Sequence, residues 1–291
     1  MQSYLMIAPM FLGFLLFSVY PIIWVFRFAW FDYDGVTAKF IGFANFVRLF
    51  TRDPYFWESV LNTFILSFGK LAVEIPLSLI LAVFLNMKLS GRSAYRAIFF
   101  MPSVLSTAVI GLIFYFIFAS YNGIINNILM QFHLIRVPID WFGGKWKAMF
   151  VLAFASLWNS FGINIIFFLT GLQTIPAELY ECAEIDGANG RQQFFRITLP
   201  MLYPIMQIII MLAIIGSMKV TDLVLVLTNG QPGGETEVMM TYIFKYFFSS
   251  GDSMQSPQIG YAASLGIIAA LIIGLITLVY LRLTRRANET Y

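Results

Sequence analysis

The sequence is poor in charged residues. Asp, Glu, Lys and Arg make up only 11% of its 291 residues, whereas 59% are hydrophobic and the mean hydropathy is +0.80. Soluble domains carry roughly 25% charged residues, so this chain has too few charges to cover a water-soluble body of its size. A soluble enzyme and a disordered protein are therefore excluded. The net charge of +3 comes without a basic stripe, which argues against a nucleic-acid binder.

Cysteine and histidine are almost missing. Cys182 is the only cysteine, so no intrachain disulfide can form, and His133 is the only histidine, so no Cys/His metal constellation exists. The sequence also lacks the phosphate-binding pattern G-x-x-x-x-G-K-[ST]. We therefore expect no metal, no cofactor and no ATP hydrolysis on this chain.

Long apolar stretches are what the sequence does have. A helix needs about 20 apolar residues to cross a hydrocarbon core of roughly 30 Å. Stretches of that kind occupy residues 5–26, 60–85, 97–119, 148–172, 201–227 and 259–281. They are too long for membrane strands and do not alternate. We predict an all-α membrane protein with six transmembrane helices that form a single domain over residues 1–291.

Basic residues predict the orientation of these helices. They are dense in the short loop after the second stretch and in the tail after the sixth. The residues are Lys88, Arg92, Arg96, Arg282, Arg285 and Arg286. Because Lys and Arg are enriched in cytoplasmic loops, we expect both segments, and with them both termini, on the cytoplasmic side.

The predicted cytoplasmic loop at 174–200 is acidic where a basic loop is expected. Pro176 suits the first turn of a helix, and Gly187 suits the left-handed position that ends one. Asn189 can cap a second short helix that lies along the membrane before Pro200. Such a segment is either a solvated connector or a docking element for a cytoplasmic partner. Its carboxylates are Glu178, Glu181, Glu184 and Asp186.

This loop carries a family resemblance. The run ECAEIDGA at 181–188, followed by FFRITLP at 194–200, resembles the EAA loop of bacterial ABC importer permeases. The sequence departs from the pattern at Cys182, where alanine is usual. The resemblance implies that a cytosolic ATPase subunit docks on this segment. The coupling residues would then be Glu181, Ala183, Glu184, Asp186, Gly187 and Ala188.

Three further segments resemble the carbohydrate-uptake branch of these permeases, which includes maltose-type and glycerol-3-phosphate-type proteins. They are FIGFANF at 40–46, the pair Asn62-Thr63, and LTNGQPGG at 227–234, where Gln231 replaces a glycine. The resemblance implies a type I ABC importer permease in the bacterial plasma membrane, forming one half of a heterodimeric pore.

The same resemblance implies a set of partners. They are a second homologous permease, two ATP-binding subunits (identical or different) that hold ATP and Mg, and an extracytoplasmic solute-binding protein that delivers a sugar. An oligosaccharide is the expected substrate. Transport would then proceed by alternating access.

Two charge pairs lie within the apolar stretches. Lys70 and Glu74 are four residues apart and can pair on one helical face. Charges at such depth are costly, so they form either a structural ion pair or a proton-coupling site. Lys219 and Asp222 lie near the outer end of the fifth stretch and are expected on one face, either as a snorkelling pair or as a gate or partner contact.

Polar residues in the fourth stretch are candidates for sugar contacts. A pyranose has polar edges and an apolar face, so an aromatic platform beside amide groups suits it. Trp158, Asn159 and Asn164 supply those groups, and Asp222 and Asn62 complete the predicted substrate-binding set. The alternative for the polar members is hydrogen bonding between helices.

Two other functions remain open at this level. An ion-coupled secondary transporter would need inverted repeats and broken helices at the middle of the membrane, and no strong internal repeat is visible. A membrane scaffold or receptor would need no polar residues along a pore. Neither alternative accounts for the EAA-like loop.

Overall fold

A computed structural model describes residues 2–87, 91–248 and 256–288, with side chains from Met6 to Arg285. Lys88 of the predicted cytoplasmic cluster and the side chain of Arg286 lie outside the described residues. The elements in chain order are α1 (Gln2–Phe14), a π-helical turn (Leu15–Val19), α2 (Tyr20–Arg27), a 3₁₀ turn (Phe28–Trp30), β1 (Phe31–Tyr33), β2 (Ala38–Phe40), α3 (Ala44–Thr51), α4 (Pro54–Asn86), α5 (Arg92–Val104), α6 (Thr107–Ile117), α7 (Ile124–Gln131), α8 (Lys145–Leu172), α9 (Ala177–Ile185), α10 (Gly190–Gln193), a second π-helical turn (Phe194–Thr198), α11 (Leu199–Met218), α12 (Asp222–Leu227), α13 (Met239–Phe247) and α14 (Ile259–Asn288).

Membrane-spanning helices dominate this fold. Five continuous stretches are long and apolar enough to cross a bilayer, and a sixth results if the bent pair α5–α6 counts as one span. The continuous stretches are Met6–Trp30, Pro54–Asn86, Lys145–Leu172, Gly190–Met218 and Ile259–Arg285. The predicted helical membrane fold is confirmed. The cytoplasmic placement of both termini and the single-domain organisation stay predictions.

The chain divides into two compact units. The first comprises the chain up to Ser59 together with Met239–Leu275, and the second comprises Val60–Val238 with the chain from Ile276 onward.

The first unit contains a small hairpin between its apolar helices. Strands β1 and β2 pair antiparallel, with Phe31 opposite Phe40. Asp34 closes the turn, since its carboxylate accepts hydrogen bonds from the backbone amides of Thr37 (2.7 Å) and Val36 (2.8 Å). These amide donors, that of Thr37 first, hold the pKa of the Asp34 carboxyl below its ordinary value.

Asn45 explains one of the sequence segments singled out above. Its amide nitrogen donates to the carbonyls of Ala29 and Phe31, both at 3.0 Å, and the side chain is buried. Gly42 of the same segment has a φ of +60°. The run at 40–46 therefore fastens the start of α3 to the base of the hairpin.

A buried aspartate organises the rest of the first unit. The Asp53 carboxylate caps α4 by accepting from the amide of Phe56 at 3.1 Å, and it also accepts from the hydroxyls of Tyr242 and Tyr261. Burial and the neighbouring Tyr246 and Asp53 raise the pKa of Tyr242, so this hydroxyl stays protonated and keeps donating.

The second unit is built around α4 and α8. One apolar cluster joins α8 to α6 and α12 through residues such as Leu152, Phe114 and Leu223. A second cluster joins the other half of α8 to α4 and α11 through residues such as Phe168 and Leu202. Helix α4 also contributes to both clusters, through Leu66 and Leu85, so α4 and α8 together form the core of this unit.

The third predicted span is broken rather than straight. Helices α5 and α6 meet at 97°, with Leu105 and Ser106 in extended conformations between them. Pro102 lies inside the last turn of α5, and the helix ends two residues after it. At the break the Pro102 carbonyl accepts from the Leu105 amide at 3.3 Å and from the Asn159 amide of α8 at 3.1 Å.

The fifth predicted span also differs from its expected bounds of 201–227. The helix begins at Gly190 and ends at Met218, and α12 follows as a separate helix after a break at Lys219–Thr221. Val220 and Thr221 in this break are β-branched and weak helix formers, and Thr221 has φ −136° and ψ −64°. Lys219 and Asp222 therefore do not share a face of one helix, as the sequence had suggested.

The second short helix expected along the membrane is instead the first turn of this fifth span. Pro200 lies inside the continuous helix, directly after the π-helical turn Phe194–Thr198. The other π-helical turn, Leu15–Val19, precedes Pro21 in the same way. Widening the turn moves the preceding carbonyls away from the proline ring, which would otherwise clash with them.

Gly162 marks the closest approach between α5 and α8. A Cβ at this position would lie 2.2 Å from the carbonyl oxygen of Phe99, which is far inside van der Waals contact. We therefore expect Gly162→Ala to push the helices apart and to lower the melting temperature of the purified protein by several degrees.

The matched control is Gly69→Ala in α4, where a Cβ meets nothing within 4 Å. Alanine favours a helix over glycine by about 1 kcal/mol, so this variant should be neutral or stabilising. Equal melting temperatures for the two variants would contradict the close packing at Gly162.

Candidate functional site

A polar cavity of about 430 Å³ opens within the second unit. Its wall combines residues from α4, α6, α8, α11 and the break before α12. The polar and charged members are Lys70, Glu74, Thr107, Ser156, Asn159, Ser160, Asn164, Ser217, Lys219, Thr221 and Asp222. Hydroxyl, amide and charged groups thus converge inside a bundle of apolar helices, which is where polar groups indicate a transport path.

The Glu74 carboxylate is the centre of this arrangement. Its Oε1 atom accepts from Ser160 Oγ at 2.6 Å and from Asn164 Nδ2 at 2.7 Å. Its Oε2 atom lies 3.3 Å from Lys70 Nζ without a well-aligned hydrogen bond, so charge attraction alone holds that contact. Lys70 in turn donates to Ser156 Oγ at 3.2 Å. The ion pair predicted from the four-residue spacing is confirmed.

The structure brings three predicted substrate residues to this cavity. Asn159, Asn164 and Asp222 all line it. Asn159 is half-buried and Asn164 is buried, whereas Asp222 is exposed. Asn159 also holds the bent third span, because Ser103 Oγ donates to its carbonyl at 3.0 Å while its own amide binds Pro102. Their contact with a substrate stays a prediction.

The other two predicted substrate residues lie elsewhere. Trp158 packs against both apolar clusters, with its ring 5.7 Å from that of Phe114. Asn62 is buried, and its amide donates to the carbonyls of Glu235 and Glu237 at 2.8 and 2.9 Å. Neither residue is part of the cavity wall as the structure describes it, so their geometry favours packing and loop anchoring.

The segment at 174–200 has well-defined local geometry. Helix α9 begins after Pro176, which stands at the N-cap rather than in the first turn. Gly187 has a φ of +77°, its amide donates to the Glu184 carbonyl, and the Ala188 amide donates to the Ala183 carbonyl at 2.8 Å. This pair of bonds is a Schellman motif, which ends a helix at a left-handed residue. The predicted glycine stop is confirmed.

Asn189 then starts the next helix. Its side chain accepts from the Gln192 amide at 2.9 Å, and the Gln192 side chain accepts from the Asn189 amide at 2.8 Å. This reciprocal capping box satisfies two amides that a helix start leaves open. The predicted cap is confirmed, and the helix it starts runs on to Met218.

The predicted coupling residues are presented to solvent by this geometry. Glu181, Glu184, Asp186 and Gly187 are exposed, and Ala183 and Ala188 are half-buried. Ile185 beside them is 86% exposed. The segment is therefore accessible to a partner, and the docking itself stays a prediction.

Residues 74–289 match the family described as binding-protein-dependent transport system inner membrane component. The match covers more than half of the chain. The chain belongs to this family. It is therefore an inner-membrane transport permease.

Curated relatives of this permease extend over nearly its whole length. It is 35% identical over 284 residues to the arabinooligosaccharides transport system permease protein AraP of Bacillus subtilis, covering 97% of this chain and 88% of that protein. It is 32% identical over 285 residues to the trehalose/maltose transport system permease protein MalF of Thermococcus litoralis, covering 97% and 93%.

Solved structures agree with the sequence relatives. The permease superposes with a TM-score of 0.84 and 26% identity on a chain of a bacterial alginate ABC transporter in complex with an alginate pentasaccharide-bound periplasmic protein, covering 98% of this chain and 94% of that one. A second structure, of a bacterial ABC transporter that imports the acidic polysaccharide alginate, matches with a TM-score of 0.83.

Several members of the cavity wall were not predicted from the sequence. Ser156 and Thr107 were not singled out, and Lys70 and Glu74 were not expected beside the predicted sugar ligands. A signal was present, because Ser156, Ser160 and Asn164 repeat every four residues and so share one face of α8. Thr107 left no such signal, since only the bend between α5 and α6 brings it there.

Gly187 gives a test of the coupling segment of the permease. Valine at a φ of +77° is strained by on the order of 1–2 kcal/mol, which is too little to unfold the packed helices but enough to redirect α9. We expect Gly187→Val to insert and fold normally, while uptake by the assembled transporter falls to a small fraction of that of the wild type.

Gly187→Asn is the matched control, because asparagine tolerates the left-handed conformation and no atom lies within 4 Å of a Cβ there. It should keep most of the uptake. Normal uptake by a folded Gly187→Val transporter would show that the turn does not matter for coupling.

Proposed function

We propose that this permease is one half of the membrane pore of an ATP-driven importer that translocates a saccharide, an oligosaccharide above all, by alternating access. The observation that carries the proposal is the polar cavity among membrane-spanning helices, whose wall offers amides and hydroxyls. Such groups match the hydroxyl edges of a sugar. The names of the curated relatives, which refer to arabinooligosaccharides and to trehalose and maltose, support a saccharide.

The energy source in this proposal lies outside the chain. The sequence has no phosphate-binding loop, so ATP and Mg would be bound by two separate cytosolic subunits that dock on α9. A second permease would complete the pore, and an extracytoplasmic solute-binding protein would deliver the sugar. The binding protein is proposed by analogy with the alginate transporter, whose structure contains a periplasmic protein loaded with a pentasaccharide.

The helix Gly190–Met218 supplies the mechanical link in this scheme. It begins at the capping box beside α9 and ends at the cavity, where Gly216 and Ser217 line the wall. Closure of the ATPase subunits would move α9, and the continuous helix would carry that movement to the sugar path. The two access states would then differ by a rigid displacement of packed helices.

The experiment that tests the function is reconstitution. The four-component transporter is assembled in proteoliposomes with its binding protein, and ATP hydrolysis is measured together with uptake of radiolabelled saccharides. Saccharide-stimulated hydrolysis coupled to uptake supports the proposal. Hydrolysis and uptake that respond to an ion gradient but not to the binding protein would reject it.

The cavity residues give a sharper prediction within this assay. Asn159→Ala should reduce uptake by about tenfold, since it removes a wall amide and leaves the Pro102 carbonyl with only the Leu105 amide as a donor. Trp158→Leu keeps an apolar but smaller side chain between the two clusters, so it should lower stability while leaving uptake by the assembled transporter within about twofold of wild type.

Both variants should leave saccharide binding by the isolated solute-binding protein unchanged. A strong loss of uptake in folded Trp158→Leu would support the prediction from the sequence that Trp158 is an aromatic platform for the sugar. Normal uptake in Asn159→Ala would show that this face of α8 does not contact the sugar during transport.

The coupling helix gives a second prediction. Glu181→Lys should leave the permease in the membrane but reduce ATPase recovery in a pull-down, because reversing a charge at an interface introduces repulsion. Glu178→Lys is the control, since Glu178 is also exposed on α9 but lies outside the segment that resembles the EAA loop. Equal recovery with both variants would contradict docking through Glu181.

A further inference from the structure

The cavity wall is balanced in charge. Among the described residues that line it, Lys70 and Lys219 are positive, and Glu74 and Asp222 are negative, so their formal charges cancel. The wall therefore offers polarity without a net charge, which distinguishes it from a surface that collects ions of one sign.

The buried pair, Lys70 and Glu74, is enclosed by groups of this chain. The Lys70 and Glu74 side chains are only 6% and 1% exposed, and each is held by groups of this chain. Ser156 accepts from Lys70, and Ser160 and Asn164 donate to Glu74 Oε1. A buried charge that loses its partner is strongly unfavourable, so neither member is available to a substrate charge while the pair is intact.

Glu74 also positions its neighbours. The two hydrogen bonds to Oε1 fix the Ser160 hydroxyl and the Asn164 amide, and attraction to Oε2 fixes the Lys70 ammonium. These three groups face the same cavity. With 1% of its own side chain exposed, Glu74 acts through them and is a positioning residue.

The remaining pair lies in the break before α12. Lys219 and Asp222 are both exposed, and they form no ion pair within 4 Å in the part of the chain that the structure describes. Because they carry opposite charges three residues apart, an anionic substrate gains attraction from one and repulsion from the other. This pair therefore adds little preference for either sign.

A substrate carboxylate is at a disadvantage in such a wall. It would enter a low-dielectric space in which the buried cation is already paired, and it would add an unmatched charge there. A neutral saccharide brings only hydroxyls, which the amides and hydroxyls of the wall can bind without any change in the ion pair.

We propose that the Lys70–Glu74 pair is a specificity determinant that makes this permease select neutral saccharides over uronic-acid saccharides. The inference rests on the proposed saccharide function and deepens it by naming the substrate class. Lys70 and Glu74 act together, because each residue neutralises the charge that the other would otherwise place beside the substrate.

Three variants separate charge from packing. Glu74→Gln keeps a carbonyl oxygen for Ser160 and Asn164 but leaves the Lys70 charge unmatched. Lys70→Gln leaves the Glu74 charge unmatched. The double variant Lys70→Gln/Glu74→Gln restores a balanced wall, and because glutamine is nearly isosteric with glutamate it matches Lys70→Gln in side-chain volume.

The readout is equilibrium binding to the assembled transporter in lipid nanodiscs without the solute-binding protein, which has its own selectivity. The probes are trisaccharides of gluco, galacto and manno configuration, each paired with the matching tri-uronate. The measured quantity is the ratio of the affinity for the neutral sugar to that for its uronate. A structural role alone would weaken both members of a pair and leave this ratio unchanged.

We expect wild type to prefer the neutral member and Glu74→Gln to lower the ratio about tenfold, equivalent to roughly 1.4 kcal/mol. Lys70→Gln should raise the ratio, and the double variant should return it close to the wild-type value. If Glu74→Gln does not assemble, the increase in Lys70→Gln and the recovery in the double variant decide the matter.

Two results would overturn this inference while the saccharide function stands: an unchanged ratio in the variants that assemble, or a preference of wild type for uronates. If wild type binds no trisaccharide of any configuration, the saccharide proposal itself fails, and the inference fails with it.

Discussion

A carboxylate buried among apolar helices must be matched by groups of the protein itself, and Glu74 is the point where this permease meets that requirement. Its partners come from its own helix, α4, through Lys70, and from α8 through Ser160 and Asn164. Breaking such a network by removing one partner costs more than the network contributes when complete. The register of α4 against α8 therefore depends on these contacts, and so does the polar wall that both helices form.

The same rule of internal satisfaction explains the broken helices. Backbone groups in a membrane must find partners within the protein, so a bend is tolerated only where side chains replace the lost bonds. Asn159 does this for the Pro102 carbonyl. The two breaks, after Val104 and after Met218, both border the cavity through Thr107 and Lys219. Irregular backbone thus occurs where it lines a polar space rather than lipid.

Close packing holds the irregular segments in place. A Cβ at Gly111 would lie 2.9 Å from Val226 Cγ1, and one at Gly162 would lie 2.2 Å from the Phe99 carbonyl. Each glycine lets one half of the bent span approach a neighbour, α12 in the first case and α8 in the second. Small residues serve this purpose in membrane helices, where association relies on tight packing.

Local patterns explain which features could be predicted from the sequence. Apolar stretches predicted the helical membrane fold, and single residues such as Gly187 and Asn189 predicted the helix stop and the capping box, since these depend on nearest neighbours along the chain. The four-residue spacing of Lys70 and Glu74 predicted their ion pair for the same reason. All of these features are local, so one sequence suffices to reveal them.

Features that depend on contacts between distant segments could not be predicted in this way. The bend at Pro102 needs Asn159 from α8, and a proline near a helix end does not by itself reveal that partner. Hydropathy also predicted α11 and α12 as one continuous span. Val220 between them is as apolar as the residues of both helices, but its β-branched side chain favours a break there. Trp158 is a further example: its indole ring suggested a sugar platform, and its packing against two apolar clusters could not be predicted from the sequence.

The most direct test of this account is a structure of the complete transporter trapped with a bound neutral oligosaccharide. The account predicts saccharide density in the cavity between α4 and α8, within hydrogen-bonding distance of Asn159, with Lys70 and Glu74 still paired. Density at a different site, or a sugar bound directly to a Glu74 carboxylate that has separated from Lys70, would contradict it.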